Sequence, residues 1–349
     1  MSNADFEQRR REIFQAIVEA YVASAEPVGS ALISRRLRPA LSPATIRHVM
    51  VELEEAGYVE QPHTSAGRVP TDRGYRYYVD AIMETPRPSA QQLREMEALI
   101  DGEDVEVGVM LERASDVLSQ VSQQAAFVIA PTVKQSRVKQ IEFVPLGVRK
   151  LLCVLIANEE MIASHVVELE EPMNREEAIA LARFLNTELV GLPFNELLSS
   201  LQRRLLAQTD SFYHLVKRSM MILEHALSTE PAQRLIVEGA SYVVSQSEFR
   251  RDPRKAHELL RRLEEEEELL ACLGQDVGDE RVRVRIGREL KLHGLENCSC
   301  VTGAFAVGHE IVGGIGVLGP KRMDYRRLHA LVDGMAHSIT NVLTRWTGA

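Results

Sequence analysis

Apolar residues near the start of the chain repeat at helical spacing. Between Phe6 and Ala23 they recur every three or four positions, which predicts a first helix with one apolar face. A break at Pro27–Ser30 ends this helix. The apolar positions that follow predict a short second helix over Ala31–Leu37.

A third helix is predicted over Pro43–Ala56. Ser42 is a typical N-cap, proline suits the first helical position, and Gly57 is typical of a helix end. At helical spacing its apolar residues fall on one side. The other side carries a mixed set, namely Ala44, Thr45, Arg47, His48 and Val51.

The periodicity changes after the third helix. Tyr58–Gln61 and Arg68–Val69 are predicted strands joined by a loop, and together they form a small wing. Thr71 can cap one more helix, and the prolines that follow it place the end of the first domain near residue 85. Two helices joined by a tight turn and followed by a hairpin indicate a winged helix-turn-helix.

The remainder of the chain indicates an α+β, multidomain protein. Residues 86–124 form a helical connector interrupted at Gly102 and Gly108, and its composition predicts a loose attachment of the first domain. Residues 172–275 are mostly helical. Three β-rich runs precede this stretch and three follow it: Val138–Val144, Lys150–Ala157, Met161–Leu169, Arg281–Ile286, Ser299–Val307 and Glu310–Leu318. A helix over Tyr325–Trp346 follows the last run.

These observations predict four segments. The first domain covers 1–85 and the connector 86–124. Residues 125–171 and 276–349 form one α+β domain, and 172–275 form a helical domain inserted into it, because antiparallel strands need their partners in the same domain.

Composition and charge narrow the class of protein. A formal charge of −9 excludes a chain that is basic throughout, so a nucleic-acid partner must meet a local patch. The longest apolar run, Leu151–Ala157, is too short to cross a membrane, and the first residues do not resemble a signal peptide. Four cysteines are too few for a disulfide framework and suit reduced thiols. We therefore expect a cytoplasmic protein without a membrane partner.

The outer side of the third helix is the strongest candidate for binding double-stranded DNA. Arg47 and His48 can donate hydrogen bonds to bases or phosphates, Ala44 and Val51 can contact thymine methyl groups, and Ser42 and Thr45 lie at the helix end that favours a phosphate. The alternative is an ordinary exposed helix face, which the glutamates further along this helix would suit. The segment from residue 27 to residue 79 has a net charge of +2.

The wing tip is the second candidate for DNA contact. It has no acidic residue, its small residues allow close approach to a backbone, and its arginine suits a phosphate or the minor groove. The alternative is a purely structural wing. The candidate residues are His63, Thr64, Ser65, Gly67 and Arg68.

None of the other motifs in the sequence indicates an enzyme. Gly314–Gly319 matches GxGxxG, but Pro320 follows at once, so we interpret it as a tight turn at a strand end and not as a dinucleotide site. Cys298 and Cys300 lack a second ligand pair at zinc spacing. The histidines have no nucleophile or carboxylate at motif spacing. We expect no catalytic residues, no metal and no cofactor.

Three strings identify a family resemblance: PVGSALISRRL, SPATIRHVMVELEEAGYVEQPHTSAGRVPTDRGYRYYVD and GGIGVLGPKRMDY. They resemble the heat-inducible transcription repressors of the HrcA type over nearly the full length. The resemblance implies a winged-helix DNA-binding domain, a GAF-like domain and a dimerising domain inserted into it. It implies a homodimer bound to an inverted-repeat operator upstream of chaperone operons, with the chaperonin GroEL supporting the active form. The DNA-contacting segments would be Ser42–Met50 and His63–Arg68.

Two functions remain open at this point. One is a dimeric repressor assembled by its C-terminal two-thirds. The other is a transcription regulator whose GAF-like domain binds a small effector. A pocket with convergent polar groups in the strand domain would favour the second.

Overall fold

The structure is a computed structural model, and it describes residues 3–38, 41–63, 66–85, 88–102, 107–131, 137–157, 161–169, 171–205, 217–224, 233–276, 281–307 and 310–347. The chain divides into two units. The larger unit comprises residues 1–105, 109–129 and 235–349, and the smaller unit comprises 106–108 and 130–234. The mixture of helices and antiparallel strands predicted from the sequence is confirmed.

Residues 3–85, which we call the N-terminal lobe, begin the larger unit. Three helices are followed by a two-stranded antiparallel hairpin and a fourth helix that continues into a π-helical turn over Tyr78–Ile82. The elements are α1 (Asn3–Ser24), α2 (Ser30–Arg36), α3 (Pro43–Glu55), β1 (Val59–Glu60), β2 (Val69–Pro70) and α4 (Asp72–Tyr77).

Local chemistry sets the ends of these helices. The Ser42 hydroxyl accepts a hydrogen bond from the Thr45 N–H at 3.1 Å, and Pro43 occupies the first turn of α3. Gly57 has a φ of +75°, which suits the turn out of this helix. Thr71 caps α4 by accepting from the Gly74 N–H at 3.0 Å.

A five-stranded sheet forms the centre of the larger unit, in the order β7-β3-β10-β9-β8. One face packs on the helices between β7 and β8, and the other contacts the last helix. Its strands and helices are α5 (Ala90–Ile100), α6 (Val107–Ser122), β3 (Ala125–Pro131), β7 (Gln233–Glu238), α10 (Ala240–Val244), α11 (Ser247–Arg250), α12 (Pro253–Glu264), α13 (Glu266–Leu273), β8 (Arg283–Ile286), β9 (Cys298–Val307), β10 (Glu310–Pro320) and α14 (Tyr325–Thr347).

The smaller unit contains its own sheet. Three antiparallel strands pair in the order β4-β5-β6, and α7 and α8 bury one face of them. The elements are β4 (Val138–Pro145), β5 (Lys150–Ala157), β6 (Met161–Glu168), α7 (Arg175–Leu189), α8 (Phe194–Leu205) and α9, described over 217–224.

The strands pair in a grouping different from the one expected. The meander of 138–168 pairs with itself and belongs to the smaller unit, whereas the C-terminal strands pair with β3, which lies before the meander in the chain. Helices α10–α13 also belong to the larger unit and not to an insertion that continues to residue 275. The reason is that two strands not predicted from the sequence complete this sheet. Strand β3 pairs with β10, and β7 lies next to β3 at the edge of the sheet.

Two glycine predictions are corrected. Gly108 lies within α6 and does not interrupt it. The Gly314–Gly319 motif lies inside β10 and forms no turn, since Gly316 pairs with Phe127 on one side and Thr302 on the other. A Cβ on Gly316 would lie 2.5 Å from the Phe127 ring, so this glycine makes room for a core aromatic.

All four cysteines are buried free thiols. Burial raises the pKa of Cys153 and of Cys298 to about 12. Among the described helices, none is long and apolar enough to cross a membrane.

Candidate nucleic-acid interface

Helix α3 has one buried and one exposed side. Its buried residues are Ile46, Val49, Met50 and Leu53, which hold it against the rest of the N-terminal lobe. The predicted set on the other side is exposed, as are Ser42 and Pro43 at the helix start; that set is Ala44, Thr45, Arg47, His48 and Val51. The sequence-predicted residues of this helix therefore share one solvent-facing surface, which we call the α3 face.

The first turn of α3 already uses part of its hydrogen-bonding capacity. Besides capping the Thr45 N–H, Ser42 Oγ lies 2.8 Å from Thr45 Oγ1, and the Ile46 N–H donates to the Ser42 carbonyl at 3.1 Å. Ser42 and Thr45 therefore hold the helix end in shape. A phosphate at this end would meet fewer vacant N–H groups than an uncapped helix offers.

The two basic residues of the α3 face differ in their partners. His48 Nε2 lies 3.3 Å from Glu52 Oε1 one turn along the helix, and its side chain is 76% exposed. Arg47 is exposed and takes part in no ion pair among the described residues. An exposed guanidinium with five N–H donors is the group on this face best suited to recognise a base edge or a phosphate.

The hairpin places the predicted wing residues in two environments. His63 is exposed at the loop, where its carbonyl accepts from the Ala66 N–H at 2.8 Å. Gly67 is packed against the backbone of Val28, where a Cβ would come within 2.4 Å of the carbonyl group. Thr64 and Ser65 lie outside the described residues.

Arg68 is positioned differently from the expectation of a phosphate ligand. Its backbone pairs with Val28 through two hydrogen bonds of 2.9 Å, and its Nη2 lies 2.7 Å from Glu54 Oε2. Only 15% of the side chain is exposed. The described contacts thus tie the hairpin to α3 through Arg68, a long-range pairing that sequence spacing does not reveal.

The helix before α3 adds basic residues that the sequence prediction of site residues left out. Arg35, Arg36 and Arg38 are exposed at the end of α2. Arg38 Nη1 donates to the carbonyls of Arg35 and Leu37, which closes the end of that helix. The signal was present in the sequence as an Arg-Arg-Leu-Arg run.

A second face of the N-terminal lobe docks on the sheet of the larger unit. Asp72 Oδ1 lies 2.5 Å from Lys321 Nζ, and the rings of Tyr75 and Tyr325 meet edge to face with centroids 5.6 Å apart. Both tyrosines are fully buried or nearly so. Burial raises the pKa of both phenols. We call this surface the docking face.

Arginines on both sides extend the docking face. Arg76 donates from Nη2 to the Val284 carbonyl at 2.6 Å and forms a two-point ion pair with Glu289. Arg322 donates to the Val22 carbonyl and to Glu248 Oε1, both at 2.5 Å. Burial alone would raise the pKa of Glu248, but the Arg322 hydrogen bond lowers it overall.

The docking face corrects the expected loose attachment of the N-terminal lobe. Asp72, Tyr75 and Arg76 come from the string part TDRGYRYYVD, and Lys321, Arg322 and Tyr325 come from GPKRMDY, so two of the three strings on which the family resemblance rests meet in space. The prediction of a loose attachment used only the composition of the connector. It could not include contacts between distant positions, such as Lys321 and Asp72, which are 249 residues apart.

No metal centre is formed by the described part of the chain, where no three His, Cys, Asp or Glu side chains come together to hold an ion. The α3 face combines exposed donors and apolar groups on one side of a helix whose other side is buried, an arrangement that would suit a binding surface.

The chain is similar to known proteins over nearly its full length. A family model described as "HrcA protein C terminal domain" matches residues 109–328. The chain is 34% identical over 339 residues to a heat-inducible transcription repressor HrcA of Geobacter sulfurreducens, covering 97% of this chain and 98% of that one. It is 36% identical to the protein of the same name in Symbiobacterium thermophilum, covering 96% and 98%.

A solved structure shares the fold. A crystal structure of a hypothetical protein at 2.2 Å resolution has a TM-score of 0.63 and 22% identity, covering 97% of this chain and 98% of that one.

Proposed function

The chain belongs to the HrcA family of heat-inducible transcription repressors, regulators that are not enzymes, and from that premise we propose that it represses heat-shock chaperone operons by binding an inverted-repeat operator in double-stranded DNA. The observation that carries this proposal is that α3 has one buried and one exposed side and is followed by the β1–β2 hairpin in the same lobe. Such a lobe is a winged helix-turn-helix in which α3 enters the major groove.

In this proposal Arg47 and His48 contact base edges or phosphates, and Ala44, Thr45 and Val51 contact the groove wall. Ser42 caps the helix that carries them, and the β1–β2 hairpin acts as the wing. His63, Thr64 and Ser65 are its DNA-facing residues, whereas Gly67 and Arg68 hold it in place. This division follows from the exposure of His63 and the burial of Arg68.

Operator binding by a homodimer is the second part of the proposal, since an inverted repeat requires a two-fold protein. The support comes from the smaller unit. The outer side of its sheet carries an apolar row in register, Val144, Leu152 and Val166, of which Val144 is 44% and Val166 52% exposed. The loop beside it adds Leu146 and Val148, the latter 74% exposed. A second copy of the same face would cover this row.

The two other domain roles follow the units of the structure. We place the dimerising insertion at about 130–234 instead of 172–275, because the apolar face lies in the smaller unit. The five-stranded sheet with its flanking helices is the GAF-like part. We further propose that the chaperonin GroEL supports the active form.

Footprinting with pure protein on genomic DNA tests operator binding. An inverted-repeat footprint is expected for the parent chain, and Arg47→Ala should lose it while Arg254→Ala, an exposed arginine on α12, keeps it. Equal footprints from both variants would overturn the assignment of α3.

Sedimentation tests the dimer. Val144→Asp with Val166→Asp should yield monomers, whereas Ile179→Asp, which is exposed on α7, should leave the dimer intact. A dimer that survives the double substitution contradicts the proposed face.

Operator binding before and after mild heating, with and without GroEL, tests the role of the chaperonin. Binding that is lost on heating and recovered with GroEL supports it; binding that heat and GroEL both leave unchanged removes it.

A further inference from the structure

A groove of about 450 Å³ lies beside the docking face. Residues 76–85 of the N-terminal lobe form one wall, and residues 282–285, which include part of strand β8, form the other. His329 on α14 also lines it. Its volume is within the range of small-molecule sites, about 300 to 1,000 Å³.

The charged side chains that line the groove are mostly cationic. Arg76, Arg283 and Arg285 line it together with one carboxylate, that of Asp80, in a chain whose net charge is −9. Arg76 is also paired with Glu289, and Arg285 Nη1 lies 3.6 Å from Cys272 Sγ. A guanidinium stays protonated at any physiological pH, and its planar set of donors matches phosphate and carboxylate groups. The lining therefore favours an anionic ligand, although the protein as a whole is negatively charged.

A histidine adds a neutral polar group. His329 Nδ1 is buried and has no hydrogen-bond partner among the described residues. Burial lowers the pKa of His329, so its imidazole is neutral near pH 7 and is able to accept or donate one hydrogen bond. Val79 and Met83 supply apolar surface for a ligand body.

We propose that this groove binds a small molecule bearing two or more phosphate or carboxylate groups, and that its occupancy weakens the docking of the N-terminal lobe. The inference rests on the proposed function for its regulatory half only. It identifies the site and the chemical class of an effector.

Arg76 connects the two halves of the proposal. Its guanidinium lines the groove and also contacts Glu289, Asp80 and the Val284 carbonyl. An anion in the groove competes with those acceptors for the same N–H donors. Because the contacts of Arg76 help to hold the N-terminal lobe in place, a bound anion loosens the lobe and reduces the fraction of protein with α3 correctly placed.

Calorimetric titration of the full chain tests the site. The probes are adenosine diphosphate, inorganic pyrophosphate and citrate, each against sodium chloride at the same ionic strength. At least one probe should bind saturably with one site per chain, and the three arms separate phosphate from carboxylate ligands. Absence of saturable binding for all three overturns the proposal.

Two variants locate the binding. Arg283→Gln removes an exposed lining charge and should raise the Kd about tenfold or more, and Thr85→Glu adds a lining negative charge and should do the same. Arg254→Gln, which lies outside the groove, should bind the probe as the parent does. An unchanged Kd in Arg283→Gln and Thr85→Glu would overturn the assignment.

Operator binding by the same samples separates the two proposals. A saturating concentration of the probe should raise the Kd for the operator about threefold or more. Operator DNA should raise the Kd for the probe by the same factor. An unchanged operator Kd overturns the regulatory half. If the probe binds but no operator is bound without it, the site stands and the proposed function fails.

Discussion

The α3 face and the docking face belong to the same lobe and are built in opposite ways. On the α3 face the side chains are exposed, and Arg47 forms no ion pair among the described residues. On the docking face Tyr75 is buried, and Asp72 and Arg76 are paired with residues more than 200 positions away. The α3 face thus keeps the Arg47 guanidinium available for a partner outside the chain, whereas the charged groups Asp72 and Arg76 of the docking face are paired within it.

The largest effect is expected where the docking face is buried. Tyr75→Ala and Tyr325→Ala should each lower the free energy of unfolding by about 3 to 5 kcal/mol, since each removes a large buried ring from a packed site. Urea denaturation measures this. Arg47→Ala is the control from the other face and should leave the midpoint unchanged. Equal midpoints for all three variants would remove the contrast between the faces.

Gly67→Ala should reduce stability by about 1 to 3 kcal/mol, because the added Cβ would lie 2.4 Å from the Val28 carbonyl. Gly29→Ala is the matched control in the same lobe, where a Cβ meets nothing within 4 Å. Operator affinity should fall with Gly67→Ala, since the hairpin is displaced. If both alanine variants melt at the parent temperature, the close packing of hairpin and Val28 is not maintained in solution.

Arg47 and Arg68 should separate binding from stability. Arg47→Ala is expected to weaken operator binding by about 1 to 3 kcal/mol without a change in melting temperature. Arg68→Ala should instead destabilise the fold by about 1 kcal/mol, because it removes the link to Glu54. Gel-shift titrations and thermal melts on both variants decide the matter. The reverse assignment, with Arg68 affecting only DNA binding, would return this residue to the phosphate-contacting role predicted from sequence.

The smallest effect distinguishes two hydroxyl groups on the docking face. The Tyr325 hydroxyl donates to the Lys321 carbonyl at 2.6 Å and lies 2.8 Å from Ser299 Oγ, while the Tyr75 hydroxyl is buried with no partner among the described residues. Tyr325→Phe should cost about 1 kcal/mol, and Tyr75→Phe should cost nothing or stabilise. Denaturant midpoints for the two phenylalanine variants provide the measurement; a larger loss for Tyr75→Phe would show that its hydroxyl is bonded in solution.

The sequence was most informative where structure depends on neighbouring residues. The cap at Ser42, the turn at Gly57 and the two sides of α3 follow from side-chain chemistry within a few positions, and the structure has them there. Strand β5 has the predicted bounds Lys150–Ala157 for the same reason.

The remainder depends on contacts between distant positions. Periodicity finds a strand but not its partner, so the pairing of β3 with β10 and the separation of the meander were missed. Arg68 was predicted to contact a phosphate because its neighbours in the chain are small and uncharged. Its actual partner, Glu54, comes from the facing helix.

The distance along the chain between the two sides of the docking face has a consequence during protein synthesis. The N-terminal lobe is synthesised well before Lys321 and Tyr325, since Asp72 precedes Lys321 by 249 residues. At about 5 to 20 residues per second, the lobe waits roughly 10 to 50 s before its partner surface exists. During that interval Tyr75 has no docking partner, so a nascent chain exposes an aromatic surface that the finished protein buries.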